Sequence, residues 1–107
     1  MSNFGLFVRF TLKDGAAAGF DALVRETTAG IKAKEPGTLV YACHTVEDAP
    51  NERIFFELYE DHAAFEEHER QEHTRHFLSE RDKYVAQTQV DRMSPYAGKY
   101  PTEVNGG

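Results

Sequence analysis

The segment "AAFEEHERQEH" (63–73) carries two of the chain's five histidines, His68 and His73, in a run of glutamates. An imidazole can ligate a metal, move a proton or simply face water, and its helical neighbours indicate which way it points. Residues three and four apart share a helix face. His68 therefore lies with Ala64 and Phe65, and His73 with Phe77, so both point inward. His62 aligns with Glu66 and Glu69, and His76 with Glu80 and Lys83, so both of these face water.

The spacing does not suit a metal site. Two ligands on one helix need the i,i+4 step of H-E-x-x-H, whereas His68 and His73 are five apart across a helix break, and no metal site is expected. Nucleophilic chemistry also lacks support. Cys43, the only cysteine, shares a strand face with Leu39 and Tyr41 and reads as a small buried hydrophobe, and no G-x-S-x-G, P-loop or G-x-G-x-x-G is present. General acid–base chemistry remains. In "RIFFELYE" (53–60), Glu57 and Tyr59 project from one face. If that face meets the helices, Glu57, Tyr59, His68 and His73 converge in a pocket walled by Tyr41, Phe55, Phe65 and Phe77. That set could take a proton from an acidic hydroxyl or carbon. The same groups could equally serve only to tie a strand to a helix.

The elements that must position these groups follow one another clearly. "LFVRFTLK" (6–13) alternates as a strand and ends at Asp14-Gly15. Phe20, Leu23, Val24, Thr27 and Ile31 form the apolar stripe of a helix over 16–34, stopped by "EPG". Strands are expected at 38–46 and 53–60, with Pro50 outside the ladder. Asp61 caps a short helix over 61–70, a second helix covers 72–86, and a weak strand spans 88–94. The order β-α-β-β-α-β is the ferredoxin-like plan, an α+β fold with its helices on one side of an antiparallel sheet. Residues 1–97 form this single domain, and 98–107 form a tail with a flexible end. The face carrying Ile54, Phe56 and Leu58 is then left bare, and a homodimer through the sheet face is the simplest remedy.

The formal net charge of −6 argues against nucleic acid and against an anionic membrane surface. No apolar run is long enough to span a bilayer, and the N-terminus has no signal-peptide pattern, so the cytoplasm is the expected compartment.

The stretch "EPGTLVYACHTVEDAPNERIFFELYEDHAAFEEHERQEHTRHF" resembles the antibiotic biosynthesis monooxygenase (ABM) domain family, over roughly residues 5–95. The match consists of the E-x-G turn at Glu35 and Gly37, Glu57 in an aromatic-rich strand, Ala64 with His68, and His73. The resemblance implies a dimeric α/β barrel and a cofactor-independent oxygenase that acts on a small aromatic substrate, a quinol or polycyclic phenol, with dioxygen. In it His68 is the base, Glu57 its orienting partner, and Tyr59 and His73 bind substrate. The family also includes haem-degrading enzymes, isomerases and proteins without known activity. The absence of tryptophan disfavours haem, and Arg9 with Arg53 is the only basic pair that could line the pocket for a phosphorylated substrate.

Overall fold

Alternation in the first strand sets up the architecture. In β1 (Phe4–Leu12), Phe4, Leu6, Val8, Phe10 and Leu12 are buried, while Phe7, Arg9 and Thr11 point the other way and are half-buried. The computed structural model describes residues 3–100. After β1 come α1 (Ala17–Lys34), β2 (Thr38–Val46), β3 (Ala49–Tyr59), α2 (His62–Arg70), α3 (Glu72–Glu80), a 3-10 turn (Arg81–Lys83) and β4 (Val85–Met93). The strands form one antiparallel sheet in the order β2-β3-β1-β4. This is the α+β, ferredoxin-like arrangement expected from the sequence.

Helix α1 buries the five residues of its apolar stripe, Phe20, Leu23, Val24, Thr27 and Ile31. They pack on the inward side of the sheet, where Phe10, Phe20, Phe55 and Phe77 form an aromatic core. Phe10 and Phe55 meet edge-on with centroids 4.9 Å apart, and Phe10 and Phe20 lie 5.3 Å apart. Such offset contacts are favoured by the ring quadrupoles.

Three boundaries differ from expectation. The helix over 72–86 ends at Glu80, and β4 begins at Val85, opposite Leu12. Tyr84 and Val85 extend the apolar spacing of the helix, but the Tyr84 carbonyl accepts from the Lys13 amide at 2.8 Å, so the backbone has already joined the sheet. Strand β3 starts at Ala49 and includes Pro50. The register shifts there, and the missing amide falls at the irregular end of the hairpin. Asp48 turns that hairpin with φ 62, a left-handed conformation that aspartate tolerates.

The outward face is less bare than the pattern implies. Leu58 is fully buried, because residues 94–100 fold back across Gly5, Phe56, Leu58 and Met93. Tyr100 stacks on Phe56 at 6.4 Å and 22°. Part of the expected tail is therefore the cover of its own sheet. Its expected flexible end, residues 101–107, lies outside the described residues.

Phe20 is fully buried between Phe10, Phe55 and Phe77. Phe20→Ala should cost about 3–5 kcal/mol of unfolding free energy, read by urea denaturation, whereas a loss below about 1 kcal/mol would contradict this core.

Candidate active site

The residue that organises the site is Glu35, the C-cap of α1. A carboxylate at a helix C-terminus opposes the macrodipole, and this one is also buried, so it needs strong donors. Three elements supply them. His68 of α2 donates through Nδ1 to Oε1 at 2.7 Å, Thr38 of β2 donates its hydroxyl to the same oxygen at 2.7 Å, and His73 of α3 donates through Nε2 to Oε2. Burial alone would raise the Glu35 carboxyl. The donations from His68, Thr38 and His73 outweigh it and hold the group at about 2.

Two glycines make this convergence possible. A Cβ on Gly30 would come within 2.5 Å of the His73 ring, and one on Gly37 within 2.7 Å of the Ala64 Cβ. Asp61 caps α2 as expected, accepting from the Ala64 amide at 2.8 Å. The cap fixes the start of the helix that carries His68 in its last turn.

An ionised carboxylate only accepts hydrogen bonds, so both imidazole nitrogens facing Glu35 carry protons, an assignment made from the hydrogen-bond pattern. Neutral His68 then has its lone pair on Nε2, which has no hydrogen-bond partner among the described residues. Thr74 is buried beside the ring, its hydroxyl 3.4 Å from Nδ1.

His68 lines a cavity of about 210 Å³ between sheet and helices. Leu6, Val8 and Phe10 floor it, and Tyr41, Phe65 and Phe77 wall it. Glu57 rises into it from β3, opposite Leu6 on one side and Tyr41 on the other. The Tyr59 hydroxyl donates to Glu57 Oε1 at 2.5 Å. Burial pushes the Glu57 carboxyl up, with the Tyr59 donation and the nearby His68 pulling the other way. Burial and the adjacent Glu57 likewise push the Tyr59 phenol far above its ordinary range, so it remains a donor. A more open groove of about 290 Å³ lies between α1 and β2, but it holds no histidine–carboxylate pair.

Several sequence expectations are redistributed. His68, Glu57, Tyr41, Phe65 and Phe77 do line one cavity. Phe55 does not, because it packs on Phe20 in the aromatic core and borders the groove between α1 and β2 instead. Tyr59 and His73 stand behind the wall, on Glu57 and Glu35 respectively. Glu57 is not hydrogen-bonded to His68, whose carboxylate partner is Glu35. Cys43 is exposed, since β2 is an edge strand that no helix fully roofs. Arg9 and Arg53 do not line the cavity. Arg9 pairs with Glu52 on the outward face, and Arg53 is held by both oxygens of Asp21 at 2.9 and 3.0 Å. The cations that do line it are Arg81 and Arg92. Among the described residues no group of three or more His, Cys, Asp or Glu is arranged to hold a metal, and no helix is long and apolar enough to cross a membrane.

The sequence model for antibiotic biosynthesis monooxygenases matches residues 3–80, which include Glu35, Glu57, His68 and His73. The chain belongs to the ABM family. Solved structures agree in fold. A protein from Bacteroides thetaiotaomicron, named as a candidate antibiotic biosynthesis monooxygenase, superposes with TM-score 0.87 at 20% identity, covering 95% of this chain and 97% of that one. A similarly named protein from Caulobacter crescentus gives 0.84 at 20% identity, covering 90% and 92%. A protein from Pseudomonas aeruginosa whose name gives no activity superposes with TM-score 0.83 at 23% identity, covering 91% and 97%. No curated protein matches the chain significantly. At these identities the ABM neighbours speak for the fold, and the chemistry must come from the site itself.

Glu35 gives this ABM site a pH signature. Its folded value, about 2, lies below the ordinary 4.5, so its contribution to stability is present above pH 4.5 and is lost as pH falls through about 2. At neutral pH this is worth roughly 3 kcal/mol at most. Glu35→Gln should therefore be less stable than the parent at neutral pH, with the gap narrowing as the pH falls toward the folded value. Urea unfolding across that range checks it, and a gap independent of pH would contradict the assignment.

Proposed function

We propose that the chain is a dioxygen-dependent monooxygenase of small phenols and hydroquinones, with the substrate's own anion as the reductant. The observation that carries this reading is the Glu35–His68 pair. A carboxylate anchors Nδ1–H while Nε2, on the cavity-lining ring, is left free as a base. His68 takes the phenolic proton, and the Glu35 charge stabilises the imidazolium that results. The phenolate passes one electron to dioxygen, and the two radicals join at a ring carbon. His68 returns its proton to the peroxide, which loses water to leave a carbonyl. Phenol and dioxygen are thereby converted to quinone and water.

Glu57, pushed toward its neutral form by burial, is suited to donate to the developing oxyanion. Tyr41, Phe65 and Phe77 keep water from the radical pair. Tyr59 and His73 act indirectly, by positioning Glu57 and Glu35. An apolar cavity of about 150 Å³ can hold a benzene, so about 210 Å³ suits one or two rings better than a larger polycycle.

The outward sheet face supports a homodimer. Phe7, Ile54 and Phe56 stay half-buried side by side around the segment 94–100. Sedimentation at micromolar concentration should give about twice 12.1 kDa, and a monomer would remove the dimer from the proposal.

Dioxygen uptake with a panel of mono- and bicyclic hydroquinones should fall by about 10²-fold or more in His68→Ala. An unchanged rate would take His68 out of the chemistry. A panel-wide absence of uptake, with ligands still bound in the cavity, would favour a non-catalytic binding module.

A further inference from the structure

The cavity carries two cations at its rim that the acid–base groups do not use. Arg92 projects from β4 on the helix-facing side, opposite Leu6. Its guanidinium lies 5.6 Å from the Phe4 ring centroid and 5.9 Å from that of Phe65. No carboxylate engages it among the described residues. Arg81, from the 3-10 turn, has a buried Nε without a hydrogen-bond partner, and the nearest carboxylate, that of exposed Asp82, is 3.6 Å away. Leu78 and Val90, 43% and 51% exposed, line the same cavity and give it an apolar lip.

Arg9, Arg53 and Arg70 are matched with Glu52, Asp21 and Glu67. Arg25 and Arg75 also have no carboxylate partner among the described residues, but neither lines the cavity, whereas Arg81 and Arg92 do. In a chain of net charge −6, two arginines that line one cavity without a close carboxylate hydrogen bond point to an anionic group on its guest. Two carboxylates also line the cavity. Glu57 is at the floor and engaged by Tyr59, and Glu69, an exposed residue of α2, borders the cavity on that side.

We propose that the natural guest is an aromatic hydroxy acid of one or two rings. Its hydroxyl reaches His68, and its carboxylate remains at the mouth with Arg92 and Arg81. This rests on the phenol-handling reading of the same cavity and adds the class of its substrate. A planar guanidinium matches a carboxylate through two parallel hydrogen bonds. Stacking on Phe4 and Phe65 holds Arg92 in place beforehand, so less side-chain freedom is lost on binding. The apolar lip suits the ring edge between the two ends.

The test compares hydroxynaphthoate with the naphthol of the same hydroxyl position, by titration calorimetry at neutral pH and low salt. The acid should bind about 10- to 100-fold more tightly, as a charge-assisted pair provides. The preference should shrink in Arg92→Gln and Arg81→Gln and nearly vanish in the double variant. Naphthol affinity should stay constant, which also shows that the variants fold. Arg9→Gln, on the outward face, should change neither affinity. If a rim variant fails to fold, high salt on the parent protein decides, because it should weaken the acid and spare naphthol. Equal affinities, or tighter naphthol, overturn the proposal, and so does a failure of both probes to bind. If the acid is preferred but no hydroquinone, acidic or neutral, consumes dioxygen, the substrate class stands and the oxygenase reading falls. If neutral hydroquinones are oxygenated while the acid gains nothing, the reverse holds.

Discussion

One buried negative charge governs this molecule. Glu35 sits where the dipole of α1 repels it and where water is largely excluded, so its ionised form survives only if donors surround it. They come from β2, α2 and α3, so the end of the first helix, an edge strand and both later helices are tied to a single side chain. This accounts for the break at Gln71. On an unbroken helix, residues five apart point about 140° away from each other. Gln71 is extended, with φ −64 and ψ 142, and it redirects the chain so that His68 and His73 meet the same carboxylate from two helices. The step that disqualifies a helical metal pair is, with the break included, what lets two imidazoles share one acceptor.

The same physics separates the two carboxyl groups near the cavity. Glu35 has several donors and is held low, whereas the burial of Glu57 outweighs its one strong donor, Tyr59, and pushes it up. In the proposed chemistry these two carboxyl groups divide the work. The charged one behind the histidine fixes its tautomer and balances the imidazolium, and the more readily protonated one beside it donates where oxyanion charge develops.

Much of this was legible in the sequence, within a definite limit. Periodicity gives a face, so the α1 stripe and the inward turn of His68 and His73 follow directly from spacing. Periodicity does not give depth along that face. Phe55, Glu57 and Tyr59 alternate identically, yet only Glu57 reaches the cavity, because Phe55 packs on Phe20 beside the groove between α1 and β2 and the Tyr59 hydroxyl ends on Glu57. Cys43 is on the expected face but at an uncovered edge. Glu35 lies at an element boundary, where periodicity ends. Its signal was of another kind, an acidic residue at a helix C-terminus just before Pro36, a position that electrostatics disfavours unless something answers the charge. Arg81, at helical spacing from Phe77, Leu78, Tyr84 and Val85, is a charge within an apolar stripe and offers a similar local contradiction.

The return of residues 94–100 over the outward face has a consequence for assembly. Tyr100 already occupies the ring of Phe56, and Leu58 is sealed beneath the same segment. A second subunit approaching that surface meets this strap before it meets the pleated strands. It must either build the strap into the seam or peel it away. In the proposed dimer, association and the path of residues 94–100 are therefore coupled, and Tyr96, 93% exposed at the strap's outer edge, is the side chain best situated to feel which arrangement prevails.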